Sequence, residues 1–180
     1  MKINLGCGFN KLDGFINCDS NKRCRPDKVI DFAKGKLTFK DDEVDEVFAN
    51  CFFEKLGNNF FDIIKEIYRV CKNGAILDVN FIHPRNDLFY SNPKNVRPLS
   101  IDVFRHFGKK YAQWYEETQK GGLSVALDLD VDFEIVDFRF GIESEYEATL
   151  KEANPGQMEA LSRRFANVQN EINVKLVVIK

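Results

Sequence analysis

The chain has 180 residues, 44% of them apolar and 30% charged, a composition that suits one globular domain spanning residues 1–180. Its 26 basic and 28 acidic residues leave a net charge of -2, so nothing marks the whole surface as that of a general nucleic-acid binder, and a specific RNA contact stays open. No apolar stretch approaches the roughly 20 residues that a membrane helix needs, so we expect no membrane partner.

The five scattered cysteines form no CxxC pair, so we predict no metal site and expect reduced thiols in a cytoplasmic protein. The sequence leaves the oligomeric state open.

Short strands are predicted early in the chain, at residues 2–5, 14–19, 28–31 and 44–50. A helix is predicted over 58–72, where apolar residues recur at helical spacing until Asn73-Gly74 ends the pattern. The apolar run 75–81 is typical of a strand buried in a parallel sheet. Together the helix and the strands on either side of it predict a βαβ unit.

The second half of the chain begins with a polar, proline-containing segment over 82–100, which predicts a long loop of the kind that often carries function. Ser100 is predicted to cap a helix. Alternating apolar residues from 123 onward predict a long strand with a bulge near Ile135. A helical insert over 141–170 is expected to precede the last strand.

The pattern with the clearest chemical meaning is Asn4-Leu5-Gly6-Cys7-Gly8, in which a strand runs directly into two glycines. Glycine lets the backbone approach a ligand closely, although a tight turn without a ligand explains such a pair equally well. Asp19 and Asp31 end the next two predicted strands. Because ligands of open α/β sheets lie at the carboxyl ends of the strands, these residues predict a nucleoside site.

The motifs together resemble the class I methyltransferases that use S-adenosylmethionine (SAM), in particular the small bacterial and phage-type members of the methyltransferase type 11-like group. The resemblance spans roughly residues 2–107. It rests on Leu5-Gly6-Cys7-Gly8, Asp13-Gly14-Phe15-Ile16-Asn17-Cys18-Asp19, Val29-Ile30-Asp31-Phe32, Leu37-Thr38-Phe39, Val44-Asp45-Glu46-Val47, Phe53-Glu54 with Leu56, and Lys65-Glu66-Ile67-Tyr68-Arg69-Val70-Cys71-Lys72-Asn73-Gly74.

This resemblance implies an α/β fold: a Rossmann-like, seven-stranded and mostly parallel sheet with helices on both faces, a short first helix, and the helical insert. It also implies that Gly6 and Gly8 lie against the methionine part of SAM, that Asp19 holds the ribose, and that Asp31 meets the adenine amino group. The full set expected to bind the cofactor is Leu5, Gly6, Cys7, Gly8, Asp19, Ser20, Asp31, Phe32 and Asn50. The product would be S-adenosylhomocysteine.

The acceptor side is expected around the 82–100 loop. His83 is the first candidate for a general base, and a surface histidine before a proline is the alternative. Glu54 is a second candidate, with capping or ion pairing as its alternative. Arg85, Arg97 and Tyr90 are candidates for binding the substrate, and solvated loop charges and core packing are their alternatives.

The predicted function is therefore methyl transfer from SAM to a small-molecule or glycan-like acceptor by direct attack on the sulfonium methyl. A SAM-binding accessory module without catalysis remains an alternative. An NAD-dependent oxidoreductase is disfavoured, because Lys11 stands where the third glycine of GxGxxG would fall.

Overall fold

The computed structural model describes residues 1–118, 125–150 and 155–180. These residues form a seven-stranded sheet. Its strands are β1 (Lys2–Leu5), β2 (Ile16–Asp19), β3 (Lys28–Val29), β4 (Val44–Asn50), β5 (Cys71–Ile82), β6 (Phe133–Ile142) and β7 (Gln169–Val178).

The order of the strands across the sheet is β3-β2-β1-β4-β5-β7-β6. Strands β1 to β5 run parallel, and β7 enters antiparallel between β5 and β6. This seven-stranded, mostly parallel sheet confirms the predicted α/β fold class. Because β1 to β4 are parallel, their carboxyl ends meet at one edge of the sheet.

Helices occupy the connections after β4. They are α1 (Phe60–Val70), α2 (Asp87–Ser91), α3 (Ile101–Arg105), α4 (Lys109–Thr118), α5 (Val125–Leu129), α6 (Ser144–Leu150) and α7 (Pro155–Arg164). Within the described ranges, no helix has the length and apolar character that crossing a membrane requires.

The two faces of the sheet differ in character. On one face Leu77, Val79 and Phe81 are fully buried, and Phe104 of α3 packs on Phe81 with ring centroids 5.4 Å apart. On the other face polar side chains bond one another in partial contact with solvent. Asn173 Nδ2 donates to Asp78 Oδ1 at 2.7 Å, for example. The apolar face therefore holds the core beneath α1 and α3.

The connection between β1 and β2 differs from the prediction. A short first helix was expected there, but residues 6–15 form turns without a helix. Asn4 Nδ2 donates to the Asn10 carbonyl, and the Leu12 N–H donates to Asn17 Oδ1 at 2.8 Å. Side chains of the strands thus take up backbone groups that a helix would have satisfied internally.

The strand predicted from residue 123 onward is wrong in its first part. Leu123 lies outside the described residues, and 125–129 forms the helix α5 rather than a strand. Val125 and Leu129, four residues apart, pack on the core, so the helical period decides this segment. The predicted bulge is confirmed, because the register of β6 shifts between Ile135 and Asp137.

Candidate functional site

A cavity of about 610 Å³, here named the first cavity, lies at the carboxyl ends of β1 to β4. Each of these strands contributes the residues that follow it. They are Gly6 and Gly8, Asp19 and Ser20, Phe32 and Ala33, and Cys51 and Phe52. The first cavity therefore occupies the place where open α/β sheets bind their ligands.

Asp19 ties together the two loops at the floor of the first cavity. Its Oδ2 accepts the Gly8 N–H at 2.8 Å, and its Oδ1 accepts the Asn21 N–H at 2.7 Å. A carboxylate oxygen has lone pairs for more than one hydrogen bond. The side chain is thus fixed by the backbone and still able to accept two hydroxyl hydrogens from a ligand.

The two glycines after β1 serve different purposes. Gly6 has φ +65, and a Cβ there would lie 2.6 Å from Cδ2 of Phe52, so the Phe52 ring needs glycine at this position. Gly8 has φ +51, and no atom lies within 4 Å of its ideal Cβ position. A side chain on Gly8 would therefore extend into open space at the first cavity.

The backbone after β4 turns sharply. Cys51 adopts φ +47, a left-handed conformation that non-glycine residues rarely take. Its N–H donates to the Asn80 carbonyl at 2.8 Å. The turn brings Phe52 edge-on against Phe32 with ring centroids 4.7 Å apart, and these two rings form an apolar wall of the first cavity.

The predicted cofactor residues divide into two groups. Those that line the first cavity are Gly6, Gly8, Asp19, Ser20 and Phe32. Leu5 and Cys7 are buried. Asp31 caps the 3-10 helix Phe32–Lys34 by accepting the Ala33 N–H, and Asn50 Oδ1 accepts a hydrogen bond from Asn80 at 2.9 Å.

Glu54 is fully buried and holds three segments together. Its Oε1 accepts the Ile82 N–H at 2.9 Å, and its backbone carbonyl accepts the N–H groups of Val96 and Arg97. Burial raises the pKa of the Glu54 carboxyl above its usual value. Since the side chain bonds the end of β5 and does not line the first cavity, the geometry favours a positioning role.

The raised pKa gives Glu54→Gln a distinctive pH signature. The carboxyl of Glu54 has a higher pKa in the folded state than in the unfolded state. Between these two pKa values only the folded state keeps the proton, so the free energy of unfolding of the wild type falls as pH rises. The loss is at most about 1.4 kcal/mol per pH unit in that window. Glutamine does not titrate, and its side-chain oxygen can still accept the Ile82 N–H. We therefore expect the free energy of unfolding of Glu54→Gln, measured in urea from pH 4 to 8, to lack this decrease. The exposed Glu116→Gln is the control, and identical pH profiles for both variants would contradict the expectation.

A second cavity, of about 790 Å³, is lined by residues from both ends of the 82–100 segment, which contains α2, and by residues of β6 and β7. Its lining includes His83, Arg85, Ile101, Arg105, Phe138 and Phe140. Among the described residues, none lines both cavities. The second cavity thus brings together two of the predicted acceptor-side residues.

His83 Nδ1 accepts the Arg85 N–H at 3.2 Å, so a neutral ring in this geometry carries its proton on Nε2. Burial first, and then the charge of Arg85, lower the pKa of His83 below its usual value. His83 is therefore neutral at pH 7, with a hydrogen-bond donor at Nε2. It can accept a proton only at Nδ1, by giving up the bond from Arg85.

Arg97 and Tyr90 line neither the first nor the second cavity. The Arg97 guanidinium stacks over the Phe60 ring, with 4.3 Å from its carbon to the ring centroid, and donates to the carbonyls of Leu56 and Gly57. Tyr90 is 71% exposed, and its hydroxyl donates to the Pro84 carbonyl at 3.3 Å. These contacts favour structural roles for both residues.

Arg97→Ala is expected to lower the free energy of unfolding by roughly 1–3 kcal/mol. The substitution removes two charged hydrogen bonds to carbonyls and the stacking on Phe60. Urea unfolding measures this change, with Arg164→Ala, at an exposed arginine, as the control. If the free energy of unfolding is unchanged and the Michaelis constant for an acceptor rises, Arg97 binds the substrate instead.

Several lining residues of the first cavity were not predicted. They are Phe9, Asn21, Cys24, Ala33, Cys51, Phe52, Lys55, Leu56, Asn59, Asn92 and Lys94. Cys51 and Phe52 directly follow a predicted strand, a signal that could have found them. Asn92 and Lys94 reach the cavity because the 82–100 loop folds back over it, and no local pattern in the sequence indicates that path.

Comparison with known proteins gives one family match. Residues 13–78 match the model of the methyltransferase domain family, a range that runs from the turn before β2 into β5. No relative was found among curated protein sequences.

Solved structures share the fold at low sequence identity. A SAM-dependent methyltransferase from Archaeoglobus fulgidus is 17% identical, with a TM-score of 0.64 over 97% of this chain and 85% of the other. A possible histamine N-methyltransferase from Thermotoga maritima is 13% identical, with a TM-score of 0.58 over 98% and 81%. A Haloferax volcanii complex of the Trm112 methyltransferase activator with a putative methyltransferase matches at 15% identity and a TM-score of 0.54, over 99% and 82%.

Proposed function

We propose that this chain, a class I SAM-dependent methyltransferase by its family match and its fold, transfers the methyl group to a small-molecule or glycan-like acceptor. The family match over residues 13–78 and the shared fold support the predicted methyltransferase and, with it, SAM as the cofactor. The acceptor and the roles of individual residues are our proposal. The observation that carries these roles is the first cavity, which places Gly6, Gly8 and Asp19 at adjoining strand ends.

SAM would lie across the carboxyl ends of β1 to β4. Asp19 would accept the two ribose hydroxyls, for which its Gly8 and Asn21 bonds hold it in place. The backbone around Gly6 and Gly8, together with Leu5 and Cys7 beneath it, would follow the methionine part of SAM. Phe32 would pack on the adenine, near Asp31 and Ser20. The reaction then depends mainly on alignment of the sulfonium methyl with the acceptor atom.

A hydroxyl-rich acceptor suits the polar side chains next to the first cavity. Asn80 Nδ2 donates to Asn50 Oδ1 and to Glu171 Oε2, both at 2.9 Å. Amide and carboxylate groups of this kind exchange hydrogen bonds readily with hydroxyls. His83 and Arg85, which line the second cavity, directly follow β5, the strand that carries Asn80, and this places them at the same end of the sheet as the first cavity.

The cytoplasm is the proposed location. All five cysteines are free thiols, and only Cys51 is partly exposed, as expected where thiols stay reduced.

A transfer assay with a tritiated methyl donor tests the proposed function. Sugars, amines and carboxylates, each with a dehydroxylated or methyl-blocked analogue, form the acceptor panel. Transfer to one class and not to its blocked analogue would identify the acceptor atom. Tight SAM binding without transfer to any acceptor would favour the accessory-module alternative.

His83→Ala separates a basic role from a binding role. If His83 takes the acceptor's proton, the wild-type rate falls as pH drops through the lowered pKa of His83, below about 6.5. We expect His83→Ala to lower the turnover number at least tenfold and to remove this acidic limb. A binding role through Nε2 would instead raise the Michaelis constant, and His83→Gln would partly restore it. Wild-type kinetics in both variants would leave His83 without a role in the reaction.

A further inference from the structure

The sheet ends in a long strand whose outer edge is unpaired. β6 is the last strand in the sheet order and bonds β7 along its inner edge. The Phe133 N–H is taken up by the Phe107 carbonyl, but no other strand of the described chain pairs with the outer edge of residues 134–142. The regular stretch of this edge, residues 137–140 between the two register shifts of β6, is a template for another strand.

β6 also exposes three large apolar side chains to solvent. Val136, Phe138 and Phe140 are 55%, 45% and 37% exposed, and the rings of Phe138 and Phe140 pack edge-on at 5.9 Å. The strand contains neither lysine nor proline; its charged residues are Glu134, Asp137 and Arg139, and its register shifts between Ile135 and Asp137 and between Phe140 and Ile142. Exposed aromatic residues on an open edge favour burial against another chain.

The charges on β6 favour a second copy of this chain as the partner at the unpaired edge. Asp137 and Arg139 flank Phe138, and within one chain Arg139 Nε lies 3.3 Å from Asp137 Oδ2. If a second copy pairs antiparallel about a two-fold axis at Phe138, each Asp137 stands opposite Arg139 of the partner subunit. A two-fold axis at Asp137 or at Arg139 would instead place like charges opposite each other, which is unfavourable. Of these three registers, only the one centred on Phe138 brings opposite charges together.

We infer that two copies of this chain pair antiparallel through β6, with the two-fold axis at Phe138, and join their sheets into one continuous sheet. The rings of Phe138 and Phe140 of both copies then share one face of the joined sheet, and Val136 of each copy lies in the bulge between Ile135 and Asp137. The other edge of each sheet, β3, has only two residues, so the pairing ends at two copies. Phe138 and Phe140 also line the second cavity, so the partner extends its aromatic wall.

Sedimentation equilibrium across protein concentrations tests the pairing. We expect a reversible monomer–dimer equilibrium for the wild type. Asp137→Arg and Arg139→Asp should each weaken it at least tenfold, because each places like charges opposite each other. The double variant D137R/R139D should restore it, since opposite charges again meet. A monomer at all concentrations, assemblies larger than dimers, or a double variant no better than the single ones would overturn the inference.

Cross-linking tests the register, with a short bis-maleimide and the variants F138C and F140C. In the inferred register the two 138 positions face each other, whereas the two 140 positions are separated along the strand. F138C should therefore cross-link into a dimer much faster than F140C, and the wild type reports the background from Cys51. Equal cross-linking of the two variants, or faster cross-linking of F140C, would overturn the register. None of these readouts depends on methyl transfer or on the identity of the acceptor.

Discussion

Asp19→Ala is expected to weaken SAM binding by roughly 10- to 100-fold or more. The substitution removes a carboxylate proposed to accept both ribose hydroxyls, and hydrogen bonds to a charged group are each worth roughly 1.5–3 kcal/mol. It also frees the N–H groups of Gly8 and Asn21, which Asp19 bonds at 2.8 and 2.7 Å. Isothermal titration calorimetry with SAM measures the loss.

Two controls separate the ribose contact from the loop contacts. Asp13→Ala removes the same charge from an exposed position in the same turn and should leave SAM affinity unchanged. Asp19→Asn keeps one acceptor oxygen, so it should fall between the wild type and Asp19→Ala. If all three variants bind SAM as the wild type does, the ribose lies elsewhere.

The strands that frame the first cavity could be predicted from the sequence because their signals are local. The strand predicted at 44–50 has those bounds in β4, and the helix predicted at 58–72 appears as α1. Each is an apolar pattern of one period with polar or glycine residues at its ends. Since parallel strands end at a common edge, predicting the strand ends also predicted that Gly6, Gly8 and Asp19 meet.

The missed elements depend on contacts distant in sequence. The apolar residues of 125–129 alternate as in a strand, yet Val125 and Leu129 pack on the core from a helix. Arg97 was expected to face an anionic acceptor, but carbonyls of the 56–57 segment and the Phe60 ring take up its guanidinium. No pattern near Arg97 encodes those partners, because they come from a segment about 40 residues away.

The residues predicted to act on the acceptor also divide into those that the structure brings together and those that it does not. His83 and Arg85, which are two positions apart in sequence, both line the second cavity. Tyr90 and Arg97, from the same loop, do not join them. A loop of this length has several possible paths, and here the buried Glu54 carbonyl fixes its far end by accepting the N–H groups of Val96 and Arg97.

Gly8→Val is expected to abolish SAM binding while leaving the protein folded. The ideal Cβ of Gly8 has no atom within 4 Å, so we expect the valine side chain to extend from open space into the first cavity. Its cost to folding is mainly the left-handed backbone at φ +51, about 1–2 kcal/mol for a residue with a Cβ. Calorimetric titration with SAM should therefore show no binding, with circular dichroism and cooperative unfolding retained.

Gly14→Val is the matched control for this experiment. Gly14 has φ +78 and open space around its Cβ position, but it does not line the first cavity. The two variants therefore carry a comparable backbone strain, and they differ in whether the new side chain meets the proposed ligand. Loss of SAM binding in Gly8→Val alone would place SAM against Gly8. Equal loss of SAM binding in both variants would mean that backbone strain in the 6–15 turns disrupts the site. Normal SAM binding in both would mean that these glycines only form turns and do not contact SAM.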